Sequence, residues 1–266
     1  MNRCISILIA ATAFVGCAGL AHGEAEKSAK PIGFSFEGPF GKFDKAQLQR
    51  GYKVYKEVCS NCHSMKFVAF RNLADRGGPG FSDAQVKTLA AAYKVNETDD
   101  KGETKERGGM ASDYFPAPAA ATIAGFGAVP PDLSLITKAR EGWHGTFNQL
   151  LNNVGGPQYV YSLLTGYEDP PKDLAAVEGK YYNPYFVNGV WISMPPPLTG
   201  DGQVQYDDET KPTVDQMAKD VSAFLAWTAE PKMEERKQTG FEVLIYLVIL
   251  AGLLFAVKRK IWAAVH

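Results

Sequence analysis

The chain has 266 residues, 45% of them hydrophobic and 21% charged, which is enough chain and apolar content for a folded domain with a sizeable core. Lys and Arg number 28 against 29 Asp and Glu. This balance gives no electrostatic support for nucleic-acid binding, so no nucleic-acid partner is expected.

The N-terminal segment has the pattern of a secretory signal. Arg3 precedes an apolar run over residues 5–20, and small residues follow up to Gly23. We therefore expect residues 1–23 to be a cleaved signal peptide. The run is short and no basic residue follows it, which disfavours a membrane-spanning helix. Cys17 lies in a poor lipid-attachment motif, so a lipid anchor is a minor alternative.

A helix is predicted over residues 45–58, with Asp44 as its N-cap, and it leads into Cys59-Ser60-Asn61-Cys62-His63. This is the C-x-x-C-H pattern of c-type haem attachment. Cys59 and Cys62 would add to the two vinyl groups of one haem, and His63 would be the proximal iron ligand. A closed zinc site needs about four ligands, and no second C-x-x-C is present. A redox dithiol would leave His63 without a role.

The signal segment and the haem motif account for all four cysteines of the sequence. Cys4 and Cys17 lie in the signal segment, and the other two cysteines belong to the haem motif. No structural disulfide is therefore expected in the processed chain.

Helices and loops are predicted in alternation along the rest of the chain. A capping box at Ser82 predicts a helix to about Val95, and residues 96–110 are predicted as a polar loop. Proline, alanine and glycine make regular structure over residues 115–131 unfavourable. Asp132 is expected to cap a short helix through Arg140.

Towards the C-terminal side, short helices are predicted at 146–152 and 157–164, followed by a loop over residues 166–212. Thr213 opens an amphipathic helix that ends before Pro231. This helix is expected to cross the helix that precedes the haem motif.

The C-terminal residues predict a membrane anchor. Residues 241–257 are apolar except for Glu242, and Lys258-Arg259-Lys260 follows them. Seventeen residues are at the short end of the roughly 17–25 that span a bilayer, and a buried core helix is the alternative. The positive-inside rule then places the C-terminus in the cytoplasm. We expect a haem domain at 24–235 in the periplasm, an anchor at 236–260 and a cytoplasmic tail at 261–266.

The sixth iron ligand is less well defined by the residues alone. Met194 ends an apolar strip before three prolines, which would hold its thioether in a stiff loop. Met110, in a predicted loop, is the alternative. Met65 is too close in sequence to His63. The remaining Met and His residues fit other positions: Met217 in the last helix of the domain, Met233 in a helical stalk predicted over residues 232–238, His144 in a turn and His266 at the terminus.

Together these motifs resemble the cytochrome c1 family. The resemblance covers essentially the whole chain after the signal segment. The runs that carry it are C-S-N-C-H at 59–63, S-D-Y-F-P at 112–116, P-P-D-L-S at 130–134, Y-S-L-L-T-G-Y at 161–167, Y-N-P-Y-F at 182–186, M-P-P-P at 194–197, A-K-D-V at 218–221 and A-E-P at 229–231.

The resemblance implies a mainly α fold, a class-I-like cytochrome c haem domain with long loop insertions and one C-terminal transmembrane helix. It implies one covalently bound haem c, attached through Cys59 and Cys62, with His63 and Met194 as axial ligands. It also implies that the loop with Pro130 and Pro131 packs against the haem. Some relatives have a basic residue before the Gly155-Gly156 pair, where this chain has Asn152-Asn153-Val154.

The function implied is electron transfer in the ubiquinol–cytochrome c reductase complex of the inner membrane. The chain would pass single electrons from a Rieske iron–sulfur protein to a soluble cytochrome c beside cytochrome b, in a dimeric complex. It would be the electron-transfer haem subunit of that enzyme and would have no substrate chemistry of its own. The alternatives are a membrane-anchored haem peroxidase, which needs an open sixth position, and a tethered carrier outside any complex.

Acidic residues cluster in three predicted loops. These are Glu97, Asp99, Asp100 and Glu103; Glu168, Asp169 and Asp173; and Asp207, Asp208 and Glu209. One or more groups would steer a basic cytochrome c, unless they are ordinary solvated surface.

Overall fold

The computed structural model describes residues 25–98, 102–118, 128–142 and 155–263. In this part the chain is mainly α-helical, as predicted. The helices are α1 Lys45–Glu57, α2 Asp83–Ala91, α3 Gly156–Leu164, α4 Val214–Ala229 and α5 Met233–Trp262. The strands are β1 Lys94–Thr98, β2 Thr104–Gly108, β3 Tyr181–Tyr182 and β4 Trp191–Ile192, and short 3₁₀ turns lie at Cys59–Asn61, Phe70–Ala74 and Lys138–Arg140. The predicted signal peptide and the helix at 146–152 lie outside the described residues.

The core of the domain is the crossing of α1 and α4, which confirms the predicted pairing. Gly51 permits the close approach, because a Cβ there would lie 2.1 Å from the carbonyl oxygen of Asp220. Around the crossing, Tyr52 and Tyr55 of α1 pack their rings against Phe224 of α4, with centroids 5.8 and 5.9 Å apart. The apolar faces of the two amphipathic helices therefore bury each other, and this packing fixes the position of the C-terminal end of α1.

A buried carboxylate links the same two helices. Asp220 is fully buried and accepts hydrogen bonds from Arg50 Nε at 2.8 Å, Gln47 Nε2 at 3.0 Å and Gln216 Nε2 at 2.8 Å. Because its oxygens are paired and hydrogen-bonded, the charge is tolerated in the core.

A two-stranded hairpin occupies most of the region predicted as a polar loop. The helix that Ser82 caps ends at Ala91, short of the predicted Val95, and β1 pairs antiparallel with β2. Ion pairs hold the exposed hairpin: Lys94 with Glu106 at 2.9 Å and Arg107 with Glu97 at 2.8 Å. The loop prediction was wrong because these strands bury no apolar face and so show no hydrophobic alternation.

Two further predictions have different outcomes. The prediction of a helix from Asp132 to Arg140 was wrong, because the regular structure there is limited to a 3₁₀ turn, Lys138–Arg140. The long loop at 166–212 is confirmed, with regular structure limited to the two-residue strands β3 and β4.

Helix α5 includes the predicted stalk and the predicted anchor in one continuous element. Its 30 residues make a rod of about 45 Å. In the described part of the chain it is the helix long and apolar enough to cross a membrane, and its apolar stretch is not buried. The length and composition of α5 are therefore those of a membrane anchor.

Candidate haem-attachment site

The C-x-x-C-H motif forms a single tight turn at the end of α1. The backbone N–H groups of Cys62 and His63 both donate to the carbonyl of Cys59, at 3.1 and 2.9 Å. Both thiols are free and half-buried. The turn thus places two thiols and one imidazole within five residues, as the sequence predicted.

The imidazole of His63 is held by a contact distant in sequence. Its Nδ1–H donates to the carbonyl oxygen of Pro131 at 2.8 Å. Burial lowers the pKa of His63 and favours the neutral ring. With the proton on Nδ1, the lone pair of Nε2 is available to a metal, which is the arrangement that metal-ligating histidines require.

Asp132 fixes the loop that carries the Pro131 carbonyl. One carboxylate oxygen accepts from Ser64 Oγ at 2.7 Å and from Lys66 N–H at 2.9 Å, and the other accepts from Ser134 N–H at 3.0 Å. Partial burial alone would raise the pKa of Asp132, but these hydrogen bonds outweigh it and lower the pKa. We call these four residues the Asp132 network. The sequence predicted Asp132 only as a helix cap.

The inner side of the motif is apolar. Cys59 packs against the main core, and burial raises the pKa of its thiol to about 12, so the sulfur is protonated. Tyr55 and Phe115 belong to this core, with ring centroids 5.8 Å apart, and the hydroxyl of Tyr55 donates to the His63 carbonyl at 3.4 Å. Such surroundings suit a large hydrophobic cofactor.

Met194 lies in the segment after β4. The residue is half-buried rather than fully buried, and along the sequence it lies between two buried residues, Ile192 and Leu198. Tyr167 Oη donates to the Met194 carbonyl at 3.0 Å and holds the backbone there. In the described residues Met194 makes no hydrogen bond to the motif, and its ligand role stays a prediction.

The other methionines differ in environment. Met110 is 50% exposed, while Met65 and Met217 are fully buried in the core and Met233 is nearly so. Within the described residues, no group of three or more His, Cys, Asp and Glu side chains is arranged to hold a metal ion.

The sequence matches the Cytochrome C1 family over residues 34–265. The chain belongs to the cytochrome C1 family. It is 43% identical to cytochrome c1 of Cereibacter sphaeroides, with 97% of this chain and 95% of that protein covered. It is 44% identical to the mitochondrial cytochrome c1 haem protein of Saccharomyces cerevisiae, with 87% and 71% covered. These matches confirm the resemblance.

A third relative is longer than this chain. The cytochrome b/c1 protein of Bradyrhizobium diazoefficiens is 49% identical over 98% of this chain, and the chain spans 40% of its length. Membership of the cytochrome C1 family also confirms haem and electron transport as the functional class of this protein.

Proposed function

We propose that this chain is the haem subunit of a ubiquinol–cytochrome c reductase complex and passes single electrons from a Rieske iron–sulfur protein to a soluble cytochrome c. The observation that carries the proposal is the Cys59–His63 turn with the Nδ1–H of His63 bonded to Pro131, in a chain of the cytochrome C1 family. The relative named cytochrome b/c1 supports cytochrome b as the neighbouring subunit.

The residues present fit one haem c. Two free thiols in one turn would form the thioether bonds, His63 Nε2 would be the proximal ligand, and the sulfur of Met194 would be the distal ligand. Bound in this way, haem supplies an iron that changes between the ferric and ferrous states by one electron. Methionine and histidine as axial ligands raise the reduction potential.

The protein side chains would keep this site closed. The Asp132 network holds the Pro131 carbonyl, which fixes the plane and the tautomer of the His63 ring. With both His63 and Met194 bound to it, the iron would have no coordination position left for peroxide or carbon monoxide. This arrangement favours electron transfer over the peroxidase alternative.

The proposed topology follows from α5. Residues 24–235 would face the periplasm, residues 236–260 would cross the inner membrane once, and residues 261–266 would lie in the cytoplasm. Lys258, Arg259 and Lys260 at the far end of α5 support this orientation. The predicted signal peptide would deliver the N-terminal side to the compartment where haem c is attached.

The acidic loops differ in how far their charge is compensated. Asp207 and Asp208 form ion pairs with cations of α1, both under 3 Å. Glu168 pairs with Lys27, whereas Asp169 and Asp173 have no ion pair within the described residues. In the first acidic group, Glu97 pairs with Arg107 and Glu103 with Lys105, and Asp99 and Asp100 lie outside the described residues. We therefore place the steering surface for a basic cytochrome c at residues 168–173.

Salt dependence tests this surface. Neutralising Asp169 and Asp173 together should lower the rate of cytochrome c reduction at low salt and flatten its dependence on ionic strength. The matched control is Asp207→Asn. Equal salt profiles for both variants and the unaltered protein would remove residues 168–173 from the docking surface.

One purification tests the proposed function. Solubilised in mild detergent, the protein should show a c-type haem spectrum that survives acid–acetone extraction, and it should copurify with a haem-b protein and a Rieske protein. The reduced form should not bind carbon monoxide. Binding of carbon monoxide would favour the peroxidase, and isolation without partners would favour the free carrier.

A further inference from the structure

A surface loop is tied to the base of the membrane helix. We call residues 36–43 the Phe40 loop. Lys237 Nζ donates to the carbonyls of Phe36 and Gly41, at 2.5 and 3.3 Å, and Glu234 Oε1 accepts from Phe43 N–H at 2.9 Å. Because three hydrogen bonds connect the loop to the first turns of α5, its position relative to the membrane helix is fixed.

Phe40 stands at the level where the apolar part of α5 begins. The residue is 72% exposed, and its ring makes a T-shaped contact with that of Phe241 at a centroid distance of 5.6 Å. Residues 241–257 rise by about 26 Å, slightly less than the roughly 30 Å hydrocarbon core of a bilayer. The hydrocarbon boundary therefore lies within a few Å of Phe241, and Phe40 is at that boundary.

A cavity of about 460 Å³ opens beside the loop, above this aromatic pair. It extends along the first turns of α5 from Phe241 to Pro231, which precedes the helix, and its other wall contains Lys42, Arg76 and Gly77. The head-group layer of a bilayer adds roughly 5–7 Å outside the hydrocarbon core. The ten residues from Phe241 back to Pro231 cover about 15 Å at helical rise. The half of the cavity nearest Phe241 therefore lies at the depth of the head groups, with its apolar end towards the acyl chains.

The charges in the cavity favour a phosphate. Lys42 and Arg76 are exposed, and in the described part of the chain their side chains have no ion pair and no hydrogen bond. Lys237 and Glu234 are occupied by the loop, which leaves Glu235 as the one other charge of the lining. Two available cations face one carboxylate, and a guanidinium is well suited to bind a phosphate group.

We propose that the Phe40 loop and this cavity bind a membrane phospholipid, with its phosphate at Lys42 and Arg76 and an acyl chain against Phe40 and Phe241. The loop would be a second membrane contact beside α5 and would fix the tilt of the haem domain over the bilayer. This inference depends on the membrane anchor and not on the haem ligands.

Photo-crosslinking of the full chain in its own membranes tests the aromatic contact. A benzophenone amino acid replaces Phe40 in one variant and Phe67, an exposed aromatic residue of the haem domain, in the control. Mass spectrometry should find lipid adducts at position 40 and none at position 67. Cross-linking of position 40 to a protein, absence of a lipid adduct there, or equal lipid adducts at both positions would overturn the proposal.

Lipid titration of the purified full chain tests the cations. The double variant Lys42→Gln/Arg76→Gln should retain phosphatidylglycerol about thirtyfold less tightly in native mass spectrometry, since each basic residue near a lipid surface contributes about 1 kcal/mol. Arg71→Gln, which removes an exposed arginine outside the cavity, is the control. Retention by the double variant equal to that of the control would overturn the phosphate site.

Discussion

Replacing Asp132 tests whether this residue orients the His63 ring in addition to stabilising the fold. Asp132→Ala removes all three acceptor contacts, and Asp132→Asn keeps one oxygen, which can still serve Ser64 and Lys66. A hydrogen bond to a charged group contributes about 1.5–3 kcal/mol, and the donors of Ser64 and Lys66, which are not buried, can turn to water, whereas Ser134 is buried. We expect a loss of about 3–4 kcal/mol of unfolding free energy for the alanine variant and about half of that for the asparagine variant.

The same change should alter the electronic state of the iron site. A loosened Pro131 carbonyl would weaken the bond from His63 Nδ1–H, making the imidazole a poorer donor to ferric iron. The midpoint potential should therefore rise, in the order unaltered protein, asparagine variant, alanine variant. Redox titration of the c-type absorption band measures it, alongside denaturant unfolding.

Asp113→Ala is the control for this experiment. Asp113 accepts from Arg107 and from the backbone of Met110, so its loss should destabilise the β1–β2 region without contact to the motif. If both alanine variants lose stability and neither shifts the potential, Asp132 has only a structural role and the reasoning is refuted.

The pH dependence of the Asp132 network has a defined sign. Its hydrogen bonds lower the folded-state pKa of Asp132 below the usual carboxyl value. The stability it contributes is therefore present above about pH 4 and is lost as pH falls further through the lowered pKa. The difference in unfolding free energy between the unaltered protein and Asp132→Ala should shrink below that pH.

Three further outcomes are expected. Met194→Leu should keep haem attached through the two cysteines but lower the potential well below that of a Rieske donor; an unchanged potential would make Met110 the next candidate. Truncation before Phe241 should release a soluble haem domain from the exporting cell. Recovery of the truncated protein only in membranes would indicate another anchor, such as an uncleaved signal segment or a lipid on Cys17. Gly51→Ala should lower the unfolding free energy by at least about 1–3 kcal/mol, because its Cβ would meet the Asp220 carbonyl. Gly200→Ala, with open space around it, is the control and should lower the unfolding free energy little. Equal denaturation midpoints for the two variants would contradict the close α1–α4 approach.

The local sequence pattern was sufficient to predict several elements of this protein. The Cys59–His63 motif, the bounds of α1 and α4, and the apolar length of α5 could all be predicted because each depends on residue spacing within one segment. The family followed from the order of several such segments. The hairpin β1–β2 could not be predicted, since its strands are held by exposed ion pairs and carry no hydrophobic period.

The tertiary structure decided which distant residues complete the site. Pro131 and Asp132 lie about seventy positions beyond the motif, and no local period indicates that a carbonyl there meets His63. The pairing of Asp207 and Asp208 with cations of α1 was hidden for the same reason. Sequence determines the elements and the reactive residues, because these depend on neighbours in the chain. The path of the loops determines how those residues are oriented, because that depends on contacts that form only when the core is assembled.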